Sequence, residues 1–269
     1  MTFQSPPLPL VLAGPLLRRC TPTRLVWWLA VREPVRVRLQ LVPEAGPGLE
    51  RELVPGDPGC RLLSAGRHLH YLLIDVRLDD PLPQDCWIGY SLALRPVGAV
   101  DAAWQDWTHW APDLCYAGRA SPGFVLPSRV RSLLHGSCRK PHHPGADGLV
   151  EADRLLQSLL AQGARPADVV APDGLPEWPS MLVMTGDQVY ADDVAGPMLH
   201  AIHHLVARLG LPDEPLDGGD LSGVDSAQAL YRHPAGFYRR ETLLPSQARR
   251  HRDLVEVLFG GVEKPVFTT

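Results

Sequence analysis

The sequence predicts an α+β two-domain chain: a β-sandwich over residues 1–126, then the first βαβ part of an α/β sandwich over residues 127–269. Two patterns carry this. The front of the chain alternates short strand-like runs with Pro-Gly breaks. The back spaces its apolar residues as strand, helix, strand, helix, the signature of a parallel sheet. A hydrophobic fraction of 45% permits a sizeable core.

The elements follow in order. Leu8 to Leu17 reads as the first strand. Val26–Val31, Val35–Leu41 and Leu69–Val76 are strand-like, and the second alternates apolar and basic residues as a half-buried strand does. Gly46-Pro47-Gly48 and Pro55 to Gly59 separate them, and Cys86–Leu94 is a further strand. Several short strands with turn signals predict a small sandwich. Ser128–Ser137 reads as the next strand, and Ala146–Ala161 as a helix that Asp147 is placed to cap. Pro179–Thr185 is a strand, Val194–Leu209 a second amphipathic helix, and Ser246–Phe259 a third.

The bulk numbers exclude several classes. A net charge of −4 gives no reason to expect a nucleic-acid partner. No run is apolar enough to span a membrane. Arg18-Arg19 follow the apolar N-terminal run and do not precede it, the reverse of a secretion signal. Five dispersed cysteines form neither a C-x-x-C clip nor a disulfide framework in a chain this long. A cytoplasmic protein with reduced thiols is expected. Arg, Pro and Ala enrichment with no Asn points to a GC-rich bacterial genome. Oligomeric state is not legible.

The chemistry concentrates at two strand ends. Met181 to Asp193 carries an apolar strand into a Gly turn, then a carboxylate, a phenol and two more carboxylates. Asp187 at a strand's C-terminal end is placed to bridge two cations, and the Tyr190 phenolate is a hard ligand suited to a trivalent metal. Two bridged cations supply hydroxide at neutral pH and stabilise charge on a phosphoryl group. The same residues read equally as a turn in which Asp187 caps a helix and Tyr190 is core. Leu133 to Cys138 is the other apolar run, ending in Gly-Ser-Cys. Cys138 is either a thiolate ligand or a buried small hydrophobe. The basic run after it, Arg139, Lys140, His142 and His143, favours a thiolate and an anionic substrate, or is a solvated surface. A nucleophilic Cys138 is a third option, although no Gly-rich phosphate loop follows it. His200 and His204 have the i, i+4 spacing of a metal pair, yet no Glu follows His200, so packing or surface histidines are the better reading. Asp192 and Asp193 are best read as helix caps, and Trp104, Trp107, Trp110 and Tyr116 as a cluster packing a connector.

Together, Leu134 to His142 and Met184 to Pro197 resemble the PhoD-like alkaline phosphatases of the calcineurin-like metallophosphatase superfamily. The segment from Gly14 to Thr23, leading into Val26-Trp27-Trp28, is similar to the opening strands of the family's β-sandwich domain, of fibronectin or immunoglobulin type. The resemblance implies a hydrolase that cleaves phosphomonoesters and phosphodiesters with iron and calcium. By position it makes Cys138 the iron-ligating cysteine, Asp187 the catalytic carboxylate that bridges the metals, and Tyr190 the ligand of ferric iron. Arg139 and Lys140 are the candidate substrate-binding cations.

Such sites also need an Asn and later His and Asp ligands, and this chain has no Asn. Residues 127–269 are therefore expected to be the N-terminal half of a metallophosphatase domain, with Lys264–Thr269 opening a further strand. Two functions follow from different classes. One is a metal-dependent phosphoesterase that uses a metal-activated hydroxide on a phosphoester substrate. The other is a catalytically inactive fragment or binding module, in which the sandwich mediates contacts.

Overall fold

Alternating side chains in the front of the chain build two four-stranded antiparallel sheets around one core. The computed structural model describes residues 6–130, 132–139, 147–161, 178–187, 196–215 and 224–233. One sheet contains β1 (Val11–Thr21), β2 (Arg24–Val31), β5 (Cys60–Gly66) and β6 (Leu69–Arg77), in the order β1-β2-β6-β5. The other contains β3 (Val35–Pro43), β4 (Leu49–Leu53), β7 (Trp87–Pro96) and β8 (Gly123–Val125), in the order β4-β3-β7-β8. Trp27, Leu29, Leu72 and Ile74 of the first sheet and Val37, Leu39, Leu92 and Leu94 of the second are fully buried in one shared cluster.

Strand β3 shows how alternation becomes a layer. Val35, Val37, Leu39 and Leu41 point into the core. Arg36 and Arg38 point out and meet Glu52 of β4 at 3.5 and 3.8 Å. Cross-strand charge pairs of this kind stabilise a register by tenths of a kcal/mol, so the buried face decides which residues pair. On the same outer surface Trp104 lies between the Arg38 and Arg95 guanidinium groups, 4.4 and 4.5 Å from its ring centroid. Gln105 then bridges to Leu94 through paired backbone bonds of 2.9 and 2.8 Å. The tryptophan-rich connector is thus pinned to the second sheet.

Two further contacts shape the first sheet. Gly59 has a left-handed φ of +89°, and a Cβ there would sit 2.3 Å from the Asp75 carbonyl oxygen, so this turn requires glycine. Arg24 forks onto Asp75 with bonds of 2.7 and 2.6 Å, tying β2 to β6. That fork, together with Arg77 and Arg61 nearby, holds the Asp75 carboxyl below its ordinary value of 3.8 despite partial desolvation. A depressed carboxyl stabilises the fold above its unfolded value, and the contribution is lost as pH falls through the lower folded value. Asp75→Asn is therefore expected to lose stability at neutral pH and little at strongly acidic pH. Urea unfolding of both proteins at pH 7 and near pH 3 checks this; an equal loss at both pH values would refute it.

After residue 126 the pattern changes. Strands β9 (Leu133–Gly136) and β10 (Met181–Met184) pair in parallel, with helix α2 (Gly148–Ala161) between them in sequence. Asp147 opens α2: its Oδ1 accepts from the Leu149 N–H at 3.0 Å. The chain divides into two compact units, Met1–Gly186 and Asp187–Thr269, so the sequence boundary at 126/127 lies inside the first. The second unit contains α3 (Gly196–Leu209) and α4 (Ala227–Arg232). Ser226 caps α4 by accepting from Ala229 N–H at 3.2 Å, and Pro215 bridges back to Ser226.

The expected fold class is corrected here. Among the described residues 39% are strand and 21% helix, with the strands mostly in antiparallel sheets, which does not match a two-domain α+β chain carrying an α/β sandwich. Among the described residues the parallel element is a two-stranded sheet of four residues per strand. Its Leu133, Met181 and Leu182 are about half exposed, at 53, 48 and 52%. An α/β sandwich buries both faces of a longer parallel sheet under helices, and this pair is neither long nor covered. The expected helix at Ser246–Phe259 and strand from Lys264 lie outside the described residues. No helix among the described residues is long and apolar enough to cross a membrane.

Candidate functional site

The parallel register sets the ends of β9 and β10 side by side. Gly136 pairs with Met184, the last residue of each strand. The ladder continues beyond them: Thr185 N–H donates to the Gly136 carbonyl at 3.0 Å, and Cys138 N–H donates to the Gly186 carbonyl at 3.0 Å. Ser137 Oγ donates to the same Gly186 oxygen at 3.3 Å, and His135 Nε2 lies 3.0 Å from Thr185 Oγ1. Gly136 packs closely under the Met184 thioether: a Cβ there would lie 2.9 Å from the sulfur, and that flexible side chain would have to shift. The two sequence motifs are therefore neighbours up to Gly186.

Two residues here share an unusual backbone. Cys138 has φ of 54° and Asp187 has φ of 51°, both left-handed without being glycine. The left-handed region is disfavoured for side chains with a Cβ, and cysteine lacks the local bonding that lets Asp and Asn tolerate it. Such strain concentrates where a side chain is held for a purpose. Both side chains are exposed. Cys138 Sγ lies 3.5 Å from Ser137 Oγ. The exposure of Cys138 sets it apart from the other thiols, since burial pushes Cys20 up to about 12 and Cys60 up to about 11. Those two stay protonated near neutral pH and cannot act as thiolate ligands.

Arg139 is committed elsewhere. Its guanidinium forks onto Asp147 with bonds of 3.1 and 2.6 Å, and this fork holds the Asp147 carboxyl below the usual carboxylate range. This fork ties the loop after β9 to the start of α2. Tyr190 and Lys140 lie outside the described residues, as do His142, His143, Asp192 and Asp193. Among the described residues no group of three or more His, Cys, Asp and Glu is gathered to hold a metal ion.

The aromatic cluster packs. Trp87 has Tyr116 and Trp178 edge-on, with ring centroids at 6.5 and 6.4 Å, and Arg119 stacks over it at 4.7 Å. Tyr116 Oη donates to Asp153 of α2 at 2.7 Å, which links the connector to that helix. Trp110 Nε1 donates to the Gln105 carbonyl at 3.1 Å. Sequence reasoning missed Trp87 and Trp178 as members, because their sequence neighbourhoods carry no aromatic repeat.

On α3, His200 Nε2 and His204 Nε2 lie 3.1 Å apart on the exposed surface. His203 is half-buried, and burial first, then the two neighbouring histidines, pushes it down to about 4. Compared with known proteins, the chain matches no family model and no curated protein.

Proposed function

We propose that the chain is a cytoplasmic, metal-dependent phosphoesterase, or the part of one that carries Cys138, Asp187 and Tyr190. The observation that supports it best is the left-handed backbone at both Cys138 and Asp187, each just past the end of a parallel strand. Strand C-terminal ends in parallel sheets are where ligands gather, and a left-handed cysteine at one of them is uncommon in a purely structural turn. The resemblance of Leu134–His142 and Met184–Pro197 to PhoD-like phosphatases gives the same three residues roles. No disulfide joins any of the five cysteines, as expected in a reducing compartment.

The donor types fit an iron and calcium pair: a thiol and a carboxylate, both exposed, with the Tyr190 phenol beyond the described residues. When bound, such a pair acidifies water into a nucleophile and neutralises charge on phosphoryl oxygens. In this reading Asp187 carries the bridging negative charge, Cys138 anchors one side, and Tyr190 selects ferric iron. Arg139 positions the loop through Asp147, leaving Lys140 as the cation for the phosphoester.

The test is optical and catalytic together. Protein loaded with ferric iron and calcium is expected to show a visible phenolate-to-iron band that Tyr190→Phe removes, and to hydrolyse a chromogenic phosphodiester. A colourless loaded protein without hydrolysis would leave the binding-module reading in its place.

A further inference from the structure

We propose that His200 and His204 form a two-imidazole chelate for a first-row divalent transition-metal ion of the zinc type, on the exposed side of α3. The inference is independent of the phosphoesterase reading and uses none of its residues.

Three observations carry it. Residues four apart on a helix stack on one face, and Gly196–Leu209 is a continuous fourteen-residue helix that holds both Cβ atoms in that register. The two Nε2 atoms lie 3.1 Å apart with the rings at 84° to each other and centroids at 4.5 Å. Zinc–imidazole bonds of about 2.0–2.1 Å require a ligand separation of roughly 2.9 Å at a right angle and about 3.4 Å at the tetrahedral angle. The observed 3.1 Å falls between those limits, so the spacing of the two nitrogens is that of a pair sharing one ion. Both histidines are exposed, so an ion reaches them from water.

At 3.1 Å the two nitrogens are at hydrogen-bond distance, and such a bond requires an Nε2–H on one ring and a lone pair on the other. Chelation needs both lone pairs. The donating ring moves that proton from Nε2 to Nδ1 through solvent, and no net proton leaves the protein. Among the described residues no third His, Cys, Asp or Glu joins the pair, so water completes the coordination. Such a solvent-open site resembles the open type and not the closed four-ligand structural type, and micromolar affinity is expected. Imidazole donors select zinc, copper and nickel over calcium and magnesium, which separates this site from one built on carboxylates.

The experiment is calorimetric titration of the full chain with zinc alone. One micromolar site is expected, with His200→Ala and His204→Ala each weakening it by about tenfold or more, because a chelate fails when either arm is lost. The double variant should lose less than the sum of the two single losses, because either change alone already breaks the chelate. His203→Gln and Cys138→Ser are expected to keep the site. Alanine at these exposed helical positions favours the helix, and circular dichroism checks that folding is retained. Zinc binding unchanged by either alanine variant, or lost equally in His203→Gln or Cys138→Ser, overturns the proposal.

Discussion

In the phosphoesterase reading, replacing Asp187 by Asn is expected to lower phosphoester turnover by about a thousandfold or more. Asp187 is exposed, so the exchange removes no core packing. Its φ of 51° is one that Asn adopts about as readily as Asp, so the backbone bears no new strain. What disappears is one negative charge. A preorganised charged group at a reacting phosphoryl centre contributes several kcal/mol to the transition state, and each 1.4 kcal/mol is about tenfold. Asp187→Ala should be equally inactive and slightly less stable, because Ala disfavours the left-handed region more. The measurement is a kcat/KM comparison on a chromogenic phosphodiester, with urea unfolding alongside. Turnover by the Asn variant at the parent rate would remove Asp187 from the chemistry.

Truncating Trp27 to Ala is expected to cost about 3–5 kcal/mol, the largest stability effect of any single change considered for this chain. Trp27 has no exposed surface, lies on the central strand β2 opposite Ile74 and Leu17, and packs on Tyr90 across the core at 5.7 Å. The cavity left behind cannot close, because both flanking strands are held by their ladders. Trp27→Phe should be far milder. Trp27 Nε1 is buried with no hydrogen-bond partner among the described residues, and the phenyl ring deletes that unpaired donor while retaining much of the area. Urea midpoints for the two variants test the pair of expectations. A loss for Phe as large as that for Ala would show that indole shape, and not buried area, holds this site.

Much of the strand content was legible because burial writes itself into sequence with period two. Val35–Leu41 alternates apolar with polar residues, and the structure turns the apolar set inward without exception. Strands β4 and β5 were not legible. Leu49-Glu50-Arg51-Glu52-Leu53 reads as a charged loop, and it becomes a strand through its ladder with β3, which buries Leu53 in the shared core. Cys60–Gly66 carries three adjacent residues without alternation and is held by pairing with β6 from Cys60 to Gly66. Each is held by its hairpin partner, and that pairing leaves no trace within the strand's own residues.

The candidate site divides in the same way. Local composition alone singled out Cys138 and Asp187, since Gly-Ser-Cys and Gly-Asp after apolar runs are short-range features. Their left-handed backbone depends on a ladder that continues past the strand ends, with Cys138 N–H bonded to Gly186, forty-eight positions later in the chain. Arg139 shows the converse. A basic run looked like a substrate patch, but a guanidinium forks onto whichever carboxylate folding brings near, and that partner is Asp147. Sequence by itself determined the alternating strands, the two motif positions and the helix spacing that pairs His200 with His204, because each is set within a few residues. Tertiary structure alone decided the dominance of antiparallel sheets among the described residues over the expected α/β sandwich, and the pairing of Arg139 with Asp147. Both depend on contacts made outside the local segment, where geometry and burial choose among partners that local pattern leaves equivalent.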